Sequence, residues 1–158
     1  MTSSSKTGCV QRRSRRPRPL NEAVRRNMQA MPTRHSRPEV LLRRLMHRLG
    51  LRYRLHGNGL PGRPDVVFRR ARVAVFVDGC FWHYCPRHCV LPKNNRMWWE
   101  AKLLANRLRD RRNDRALSAG GWLALHVWEH ENMESAAGRV LRHVQRRVTS
   151  NLQVYRPT

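Results

Sequence analysis

Two short runs of β-branched residues near the middle of the chain constrain the fold more than any other feature. The first, Asp65–Phe68, reads Asp-Val-Val-Phe, and the second, Val73–Val77, is entirely apolar. Four residues separate the two runs, and three of the four are arginine. Short apolar runs joined by a polar turn are typical of a β-hairpin, and an unbroken apolar strand is covered on both faces. The sequence therefore predicts a hairpin whose second strand is buried in a sheet.

The segments around this hairpin alternate between helical and strand-like patterns. Ser36–Glu39 resembles a capping box with an early-turn proline, and it predicts a helix to about Leu49, stopped by Gly50. The other predicted elements are a helix over 21–31, strands over 51–55 and 122–128, loops over 56–64 and 79–95, and helices over 96–119 and 134–148. The order α-β-β-β-α-β-α predicts an α/β fold with a mixed central sheet flanked by helices. We expect one domain over 21–148, a disordered basic arm over 1–20 and a C-terminal tail over 149–158.

The chain is strongly basic. Its 158 residues include 33 Lys and Arg against 10 Asp and Glu, a formal net charge of +23, and all but three of the cations are arginine. Guanidinium groups match phosphate geometry, so nucleic acid is the expected partner and an anionic membrane surface the second choice, although GC-rich codons also enrich arginine. No apolar run reaches membrane-spanning length, and the first residues lack the apolar stretch of a secretory signal. We therefore expect neither an integral membrane protein nor a secreted one.

Two of the few acidic residues flank the predicted hairpin strands. Asp65 follows Pro64 at the start of one strand, and Asp78 ends the other. Two carboxylates at one edge of a sheet can share a divalent cation, which activates water and stabilises the charge that develops on a phosphate. The alternative is that both are turn acids that accept hydrogen bonds from backbone N–H groups. The pattern alone leaves both interpretations open.

This arrangement resembles the core motif of the PD-(D/E)xK nucleases, in which a Pro-Asp pair precedes a second acid at the end of the next strand. The lysine that usually stands two places after the second acid is absent, and Cys80 occupies its position. Another proton carrier is then needed. His83 is the candidate, because an imidazole can accept a proton from water near neutral pH.

Three of the four cysteines lie in one ten-residue segment together with two histidines. Cys80, Cys85 and His88 have the types and spacing of zinc ligands, and a structural zinc takes four such ligands. His130 is the predicted fourth ligand because it follows a strand that should lie beside the second hairpin strand, and Cys89 competes for the place of His88. The alternative is a set of buried thiols without a metal. The cluster predicts a structural zinc site in a reducing compartment.

Four aromatic residues stand close to this segment. Phe81 and Trp82 lie inside the Cys/His loop, and Trp98 and Trp99 open the long helix. Aromatic rings beside a basic surface can stack on bases or wedge between base pairs. Core packing is the alternative, since most tryptophans of a small domain are buried. For Phe81 and Trp82 we expect DNA contact, because they flank the candidate catalytic residues.

Seven segments between residues 21 and 145 resemble, in order, the very short patch repair (Vsr) DNA mismatch endonucleases. They are Asn27–Met28, Leu60–Asp65, Val77–His83, Trp99, Arg109–Arg111, Gly121–Trp122 and Val127–Glu129. The resemblance implies a restriction-endonuclease-like fold with a structural zinc, and Mg²⁺-dependent hydrolysis of a phosphodiester. It implies a nick on the 5′ side of the T in T·G mismatches that arise from deamination of 5-methylcytosine. It further implies a monomer that acts on double-stranded DNA in the bacterial cytoplasm, at the nucleoid, with mismatch-repair proteins as further partners.

The resemblance also assigns catalytic roles. Asp65 would bind the catalytic Mg²⁺ with help from the backbone carbonyl of Val77, and His83 would be the base for the attacking water. Glu39 matches a helix acid near the site, and Asp110 matches an acid that holds His83 or a hydrated metal. The structural alternatives are the capping box for Glu39 and a helix-surface ion pair with a neighbouring arginine for Asp110.

Other residues match the DNA contacts of the family. Phe81, Trp82 and Trp99 match the residues that wedge into the duplex beside the mismatch, and Met28 matches the opposing contact in the minor groove. Wedging would select mismatches, because a mismatched pair costs less to unstack. Asp78 departs from a histidine found at this place in the family, so it is a candidate second catalytic carboxylate. The candidate zinc ligands also differ in type, with cysteine and histidine exchanged.

Two other functions agree with the same sequence features. One is a restriction-type or nicking endonuclease that uses this fold on matched sites. The other is a zinc-stapled DNA-binding module without catalytic activity.

Overall fold

A computed structural model describes residues 21–23, 25–26 and 35–154. The chain divides into two units, Met1–Met31 and Pro32–Thr158. In the first unit, residues 22, 23, 25 and 26 are helical, and Nε of Arg25 donates to Oε2 of Glu22 at 2.9 Å. These residues belong to the helix predicted over 21–31. The arm predicted over 1–20 and the wedge residue Met28 lie outside the described residues.

The second unit confirms the predicted order of helices and strands. Its elements are α1 (Arg37–Arg48), β1 (Arg54–Leu55), β2 (Val66–Phe68), β3 (Val73–Asp78), α2 (Arg96–Ala119), β4 (Leu123–Trp128) and α3 (Met133–Val154). Helix α3 continues past the predicted end at 148, because no glycine or proline interrupts it, so residues 149–154 of the predicted tail are helical. Within the described part of the chain, no helix combines the length and apolar character needed to cross a membrane.

The sheet has the strand order β1-β2-β3-β4. Strands β2 and β3 form the predicted antiparallel hairpin, with Val66 opposite Val75. Strands β3 and β4 are parallel, with Val77 opposite Val127, which confirms that the strand before His130 lies beside the second hairpin strand. Their connection passes through the Cys/His loop and α2, as a crossover between parallel strands requires. The result is the predicted mixed sheet, in which β3 and β4 end at the same edge.

One face of the sheet carries the hydrophobic core. Helices α1 and α3 pack against each other and cover this face. The core residues that are fully buried include Leu42, Met46, Val66, Val73, Val75, Val127, Ala137 and Val140. Side chains alternate between faces along a strand, so Phe76 and His126 point to the opposite face, where α2 contacts β4.

The helical spacing of its apolar residues predicts an inward side of α2 made of Trp99, Leu103, Leu104, Leu108, Ala116 and Leu117, and only half of this prediction is correct. Three of the six predicted residues are buried: Trp99, Leu103 and Leu117. The other three are exposed: Leu104, Leu108 and Ala116. The inward row continues instead through Asn106, Asp110 and Asp114, at the spacing of three or four residues that keeps side chains on one side of a helix. Hydrophobicity misses this row because part of it lines a polar cleft.

A close contact at Gly57 positions the chain that leads into β2. The N–H of Gly57 donates to the carbonyl of Pro64 at 2.9 Å, and the N–H of His56 donates to that of Asp65 at 3.1 Å. Gly57 is buried, and a Cβ atom there would lie 2.7 Å from Cγ2 of Val67 and 2.8 Å from Cγ of Pro64. These distances are shorter than real Cβ contacts, so any side chain would displace Pro64 and the adjacent Asp65.

Gly57→Ala is expected to destabilise the protein by about 1–3 kcal/mol, the usual range for overpacking. Gly138→Ala in α3 is the matched control, because its Cβ would meet Nη1 of Arg142 at an ordinary 3.7 Å. Alanine also favours a helix over glycine by about 1 kcal/mol, so the control should be neutral or stabilised. Urea denaturation of both variants measures the difference, and equal stabilities would contradict the close contact at Gly57.

Candidate active site

The carboxylate of Asp65 lies at the edge of the sheet, just before β2. The N–H of Val77 in β3 donates to Oδ2 of Asp65 at 2.8 Å and holds the carboxylate beside this strand. Burial raises the pKa of Asp65, and the charges of Glu39 and Asp78 raise it further. The hydrogen bond from Val77 and the charge of Arg43 oppose this shift. A buried carboxylate near other carboxylates favours a bound proton or a bound cation.

Glu39 in α1 forms the capping box and also lies close to Asp65. Its side chain accepts a hydrogen bond from the N–H of Ser36 at 3.3 Å, and Oγ of Ser36 accepts one from the N–H of Glu39 at 3.4 Å. Glu39 is buried, pairs with the guanidinium of Arg43, and is near enough to Asp65 to raise its pKa. The capping role is therefore confirmed, and the catalytic role stays a prediction that this position allows.

Asp78 ends β3 and contacts a histidine on the neighbouring strand. Its Oδ2 is 2.6 Å from Nδ1 of His126 in β4, and Nε2 of His126 is 3.0 Å from Oδ1 of Asp114 in α2. Phe76 stacks on the imidazole ring, with ring centroids 5.0 Å apart. Burial lowers the pKa of His126, but the hydrogen bonds and charges of the two carboxylates outweigh burial and raise the pKa to about 9. His126 is therefore a cation at neutral pH.

His83 lies in the loop after β3 and is held by α2. Its Nδ1 is 2.8 Å from Oδ2 of Asp110 and 3.6 Å from Oδ1 of Asp78. An imidazole that donates from Nδ1 to a carboxylate keeps the lone pair on Nε2. Arg109 also contacts Oδ1 of Asp110 at 3.3 Å, so both interpretations of Asp110, the contact with His83 and the ion pair with a neighbouring arginine, are present in the structure.

These side chains line a cleft of about 450 Å³ beside α2. Its walls include Asp78, His83, Asp110, Asp114 and His126, together with the cationic side chains of Arg63 and Arg109. Asp65 lies close enough to Asp78 for the charge of Asp78 to contribute to its raised pKa, after the larger effect of burial. The structure thus brings Asp65, Asp78 and His83 to the same region of the sheet edge. The guanidinium groups of Arg63 and Arg109 lie on the walls of the same cleft, where they could bind a phosphate.

Two titratable residues of this cleft, His126 and Asp114, are not among the site residues that the sequence pattern predicts. His126 is the single polar residue in the strand Leu-Ala-Leu-His-Val-Trp, and a polar residue inside a buried strand is a signal of a site. Asp114 stands four residues after Asp110 in α2, so the two carboxylates share one side of the helix. The two residues come together only when α2 packs on β4, so neither local pattern predicts their contact.

The four predicted zinc ligands, three in the Cys/His loop and one after β4, lie close together. The ligand atoms of Cys80, Cys85, His88 and His130 all lie within 4.8 Å of one another. Sγ of Cys80 is 3.0 Å from Nδ1 of His130, and Sγ of Cys85 is 3.7 Å from Nδ1 of His88. Cys80 follows β3 and His130 follows β4, so the parallel pairing of these strands brings the two residues together. Two thiols and two imidazoles at these separations form a candidate metal site.

Cys89 stands apart from this group. Its Sγ is 3.8 Å from the carbonyl oxygen of Phe81, and among the described residues the cluster that can hold a metal contains His88 in its place. This geometry favours His88 over Cys89 as the ligand. For the neighbouring ligand Cys85, burial opposes ionisation, but the N–H groups of Arg87 and His88 donate to its sulfur and lower the pKa of the thiol.

Phe81, Trp82 and Trp99 pack edge to face, with ring centroids 5.2 to 6.1 Å apart. Phe81 and Trp82 are half-buried, whereas Trp99 is only 7% exposed and also contacts Trp98. The buried Asn106 donates from Nδ2 to the carbonyl of Trp82 at 3.2 Å. In the free chain, Phe81 and Trp82 therefore present part of their rings to solvent, and Trp99 lies beneath them.

A mixed sheet that holds carboxylates and a histidine at one edge, beside a cleft that also carries two arginines, is the arrangement expected of a nuclease with a restriction-endonuclease-like fold. A family model described as DNA mismatch endonuclease Vsr matches residues 20–90. The chain is 44% identical over 130 residues to the type II nicking enzyme V.NaeI of Lentzea aerocolonigenes, a match that covers 79% of this chain and 78% of that protein.

Two further relatives give the same result. The chain is 46% identical over 105 residues to the type II nicking enzyme V.XorIIP of Xanthomonas oryzae pv. oryzae, covering 66% of this chain and 77% of the relative. It is 40% identical over 107 residues to the DNA mismatch endonuclease Vsr of Escherichia coli, covering 66% and 67%. The chain therefore belongs to the Vsr DNA mismatch endonuclease family and is a DNA endonuclease. The predicted family is confirmed, and an enzyme is favoured over a non-catalytic DNA-binding module.

Asp65→Asn is expected to raise the free energy of unfolding at about pH 8 in buffer without Mg²⁺. A carboxyl group whose pKa is raised on folding is protonated more readily in the native state, so its ionised form destabilises that state above the ordinary carboxyl pKa. Asparagine keeps an acceptor for the N–H of Val77 and carries no charge. The difference should shrink toward about pH 4, where Asp65 is protonated. Urea denaturation at both pH values measures it, and a variant less stable than wild type at the higher pH would contradict the raised pKa of Asp65.

Proposed function

We propose that this endonuclease nicks the T-containing strand on the 5′ side of the T in T·G mismatches that arise from deamination of 5-methylcytosine. The reaction is Mg²⁺-dependent phosphodiester hydrolysis in very short patch repair. The observation that carries the proposal is the cleft in which Asp110 holds His83 beside Asp78, with Asp65 next to them at the sheet edge. Membership of the family and the likeness to the mismatch endonuclease of E. coli support the mismatch as substrate.

The residues at the sheet edge fit a Mg²⁺ ion. Asp65 is a buried carboxylate whose pKa is raised by Glu39 and Asp78 as well as by burial, and a divalent cation would offset this repulsion. Carboxylate and carbonyl oxygens are the hard ligands that Mg²⁺ prefers. Asp65 and the backbone carbonyl of Val77 would hold the ion. When bound, the ion supplies an acidified water and positive charge for the phosphate.

His83 is proposed as the general base. Because its Nδ1–H is donated to Asp110, its Nε2 is free to accept the proton of the attacking water. Asp110 fixes the orientation of the ring and stabilises the imidazolium that forms. The deprotonated water attacks the phosphorus and displaces the sugar oxygen of the adjacent nucleotide, which leaves a single-strand break. Arg63 and Arg109, on the walls of the cleft, are placed to contact the phosphate.

Phe81 and Trp82 are proposed to wedge into the duplex beside the mismatch. Their half-exposed rings belong to the loop that also carries His83, so insertion would bring the scissile phosphate toward the cleft. The buried Trp99 would support both rings from below and contact the duplex only as they insert. A T·G pair costs less to unstack than a matched pair, which gives the selectivity.

Side-by-side nicking assays on T·G, T·A and C·G duplexes with varied flanking sequence test this function. Wild type with Mg²⁺ is expected to nick the T strand of T·G duplexes alone, and EDTA should abolish nicking. Asp65→Asn and His83→Ala should each lower the nicking rate by about 10²–10⁴-fold and still bind DNA, because each removes a catalytic group and no basic contact. Glu100→Gln is the matched control, because Glu100 is exposed on α2 and should not affect the rate.

A second candidate is nicking at matched sites, which the names of two relatives favour, since V.NaeI and V.XorIIP are type II nicking enzymes. Equal nicking of T·A and T·G duplexes would support that candidate and contradict mismatch selectivity. DNA binding without cleavage of any duplex would contradict both. The monomeric state, the repair-protein partners and the bacterial cytoplasmic, nucleoid-associated location stay predictions.

We further propose that Cys80, Cys85, His88 and His130 hold one structural Zn²⁺. Two thiolates and two imidazoles are a donor set that zinc prefers, and ligand atoms within 4.8 Å of one another can surround a tetrahedral ion after small adjustments. The ion would join the end of β3 to the end of β4 and fix the loop that carries Phe81, Trp82 and His83.

Metal analysis of purified protein is expected to find one equivalent of zinc. Cys85→Ser should lose the zinc and lower the melting temperature, because a structural zinc contributes to folding stability. Cys89→Ser is the matched control, because Cys89 lies outside the cluster, and it should keep the full equivalent. Loss of zinc in Cys89→Ser, or its retention in Cys85→Ser, would contradict this ligand set.

A further inference from the structure

His126 occupies a position in the active-site cleft that neither the family motif nor the proposed mechanism uses. It stands in β4 on the sheet face that meets α2, and it lines the cleft. Its ring stacks on Phe76 with an interplanar angle of 10°. Its Nδ1 is 2.6 Å from Asp78 and its Nε2 is 3.0 Å from Asp114. Two hydrogen bonds and a stacking contact leave this ring a single orientation.

Both partners of the ring are carboxylates. A carboxylate only accepts hydrogen bonds, so each ring nitrogen must donate, and an imidazole donates from both nitrogens only as the imidazolium. His126 thus links β3 to α2 through two charge-assisted hydrogen bonds, which are stronger than neutral ones. It is a fixed cation between two anions on one wall of the cleft.

The hydrogen bond from His126 limits which other groups the carboxylate of Asp78 can contact. Oδ2 of Asp78 is engaged by His126, and its Oδ1 remains 3.6 Å from Nδ1 of His83, beyond a direct hydrogen bond. Asp110, at 2.8 Å, is then the hydrogen-bond partner of His83. Without His126, the carboxylate of Asp78 would be free to turn toward His83 and compete with Asp110 for the same proton.

His126 also balances charge within the cleft. Asp78, Asp110 and Asp114 place three carboxylates on its walls, and Arg63 and Arg109 place two cations there besides His126. Two of the three carboxylates are the hydrogen-bond partners of His126. The imidazolium thus offsets charge that already belongs to the walls, and the two arginines remain to contact the DNA phosphate.

We propose that His126 is a positioning residue of the nicking reaction, which fixes the carboxylate of Asp78 so that Asp110 alone orients the base His83. The proposal rests on the proposed function only in so far as His83 is the base. It holds whether the natural substrate is a mismatched or a matched duplex.

Two substitutions separate positioning from packing. His126→Phe keeps the ring stacked on Phe76 and removes both hydrogen bonds, whereas His126→Gln loses the ring but keeps an amide N–H for Asp78. If His126 acts by positioning Asp78, His126→Phe should lower kcat by about 10- to 100-fold, which is the usual effect of losing a supporting contact. The KM for DNA should change by less than about threefold, because the residues proposed to contact DNA are still present. His126→Gln should retain more activity than His126→Phe. A packing role predicts the reverse order, which would overturn the proposal.

A second measurement does not depend on nicking. Side-chain ¹H–¹⁵N spectra of the zinc-loaded protein without Mg²⁺ report the hydrogen bonds of each imidazole. The ring-nitrogen signals of His83 should move in His126→Phe, because Asp78 is released toward it. They should stay in place in the control His143→Gln, since His143 lies in α3, which packs on the other face of the sheet.

The outcomes distinguish this proposal from the proposed function. If wild type nicks only matched sites, the function proposal fails and the same variants are compared on that substrate. If wild type nicks no duplex, the His83 signals alone decide. Unchanged His83 signals in a folded His126→Phe protein would overturn the positioning role.

Discussion

The parallel pairing of β3 and β4 is the constraint on which both candidate sites depend. It sets Asp78 opposite Trp128, so that the two strands end at the same edge of the sheet. Because of this register, His126 reaches back to Asp78, and His130 meets Cys80 just beyond the strand ends. A shift of the pairing by one residue would turn every side chain of one strand to the other face and separate both pairs. The candidate active site and the candidate metal site therefore depend on the same register.

The two faces of this sheet have different roles: one carries the hydrophobic core, and the other carries the polar residues of the cleft. The face under α1 and α3 is apolar and fully buried, and its burial supplies the main favourable contribution to folding. The face toward α2 carries Asp78 and His126, whose burial would be costly unless each is paired. Asp78 and His126 pair with each other, and His126 also pairs with Asp114 on α2, which makes this burial tolerable. Burial raises the pKa of Asp65, and the charges of Glu39 and Asp78 raise it further, so a bound metal ion would favour its ionised form.

Local patterns in the sequence predict most of the fold and about half of the cleft. The hairpin, the capping box at Ser36 and the Cys/His loop depend on residues near one another in the chain, so their types and spacing are enough. The inward row of α2 and the role of His126 depend on which helix covers which face, and no local pattern contains that information. Hydrophobicity places Leu108 inside because it assumes that the covered side is apolar, whereas that side is polar where it meets the cleft.

The metal cluster and the aromatic rings are joined through one short loop. Cys80 and Cys85 bracket Phe81, Trp82 and His83, so any ion held by these thiols would also fix the backbone from which the rings and His83 project. A wedge selects a mismatch only if it is rigid, because a mobile loop would adapt to matched and mismatched duplexes alike. The buried Asn106 adds a second fixed point through the carbonyl of Trp82. In the proposed mechanism, selectivity and catalysis are therefore coupled through the backbone, since the rings and His83 would move as one unit.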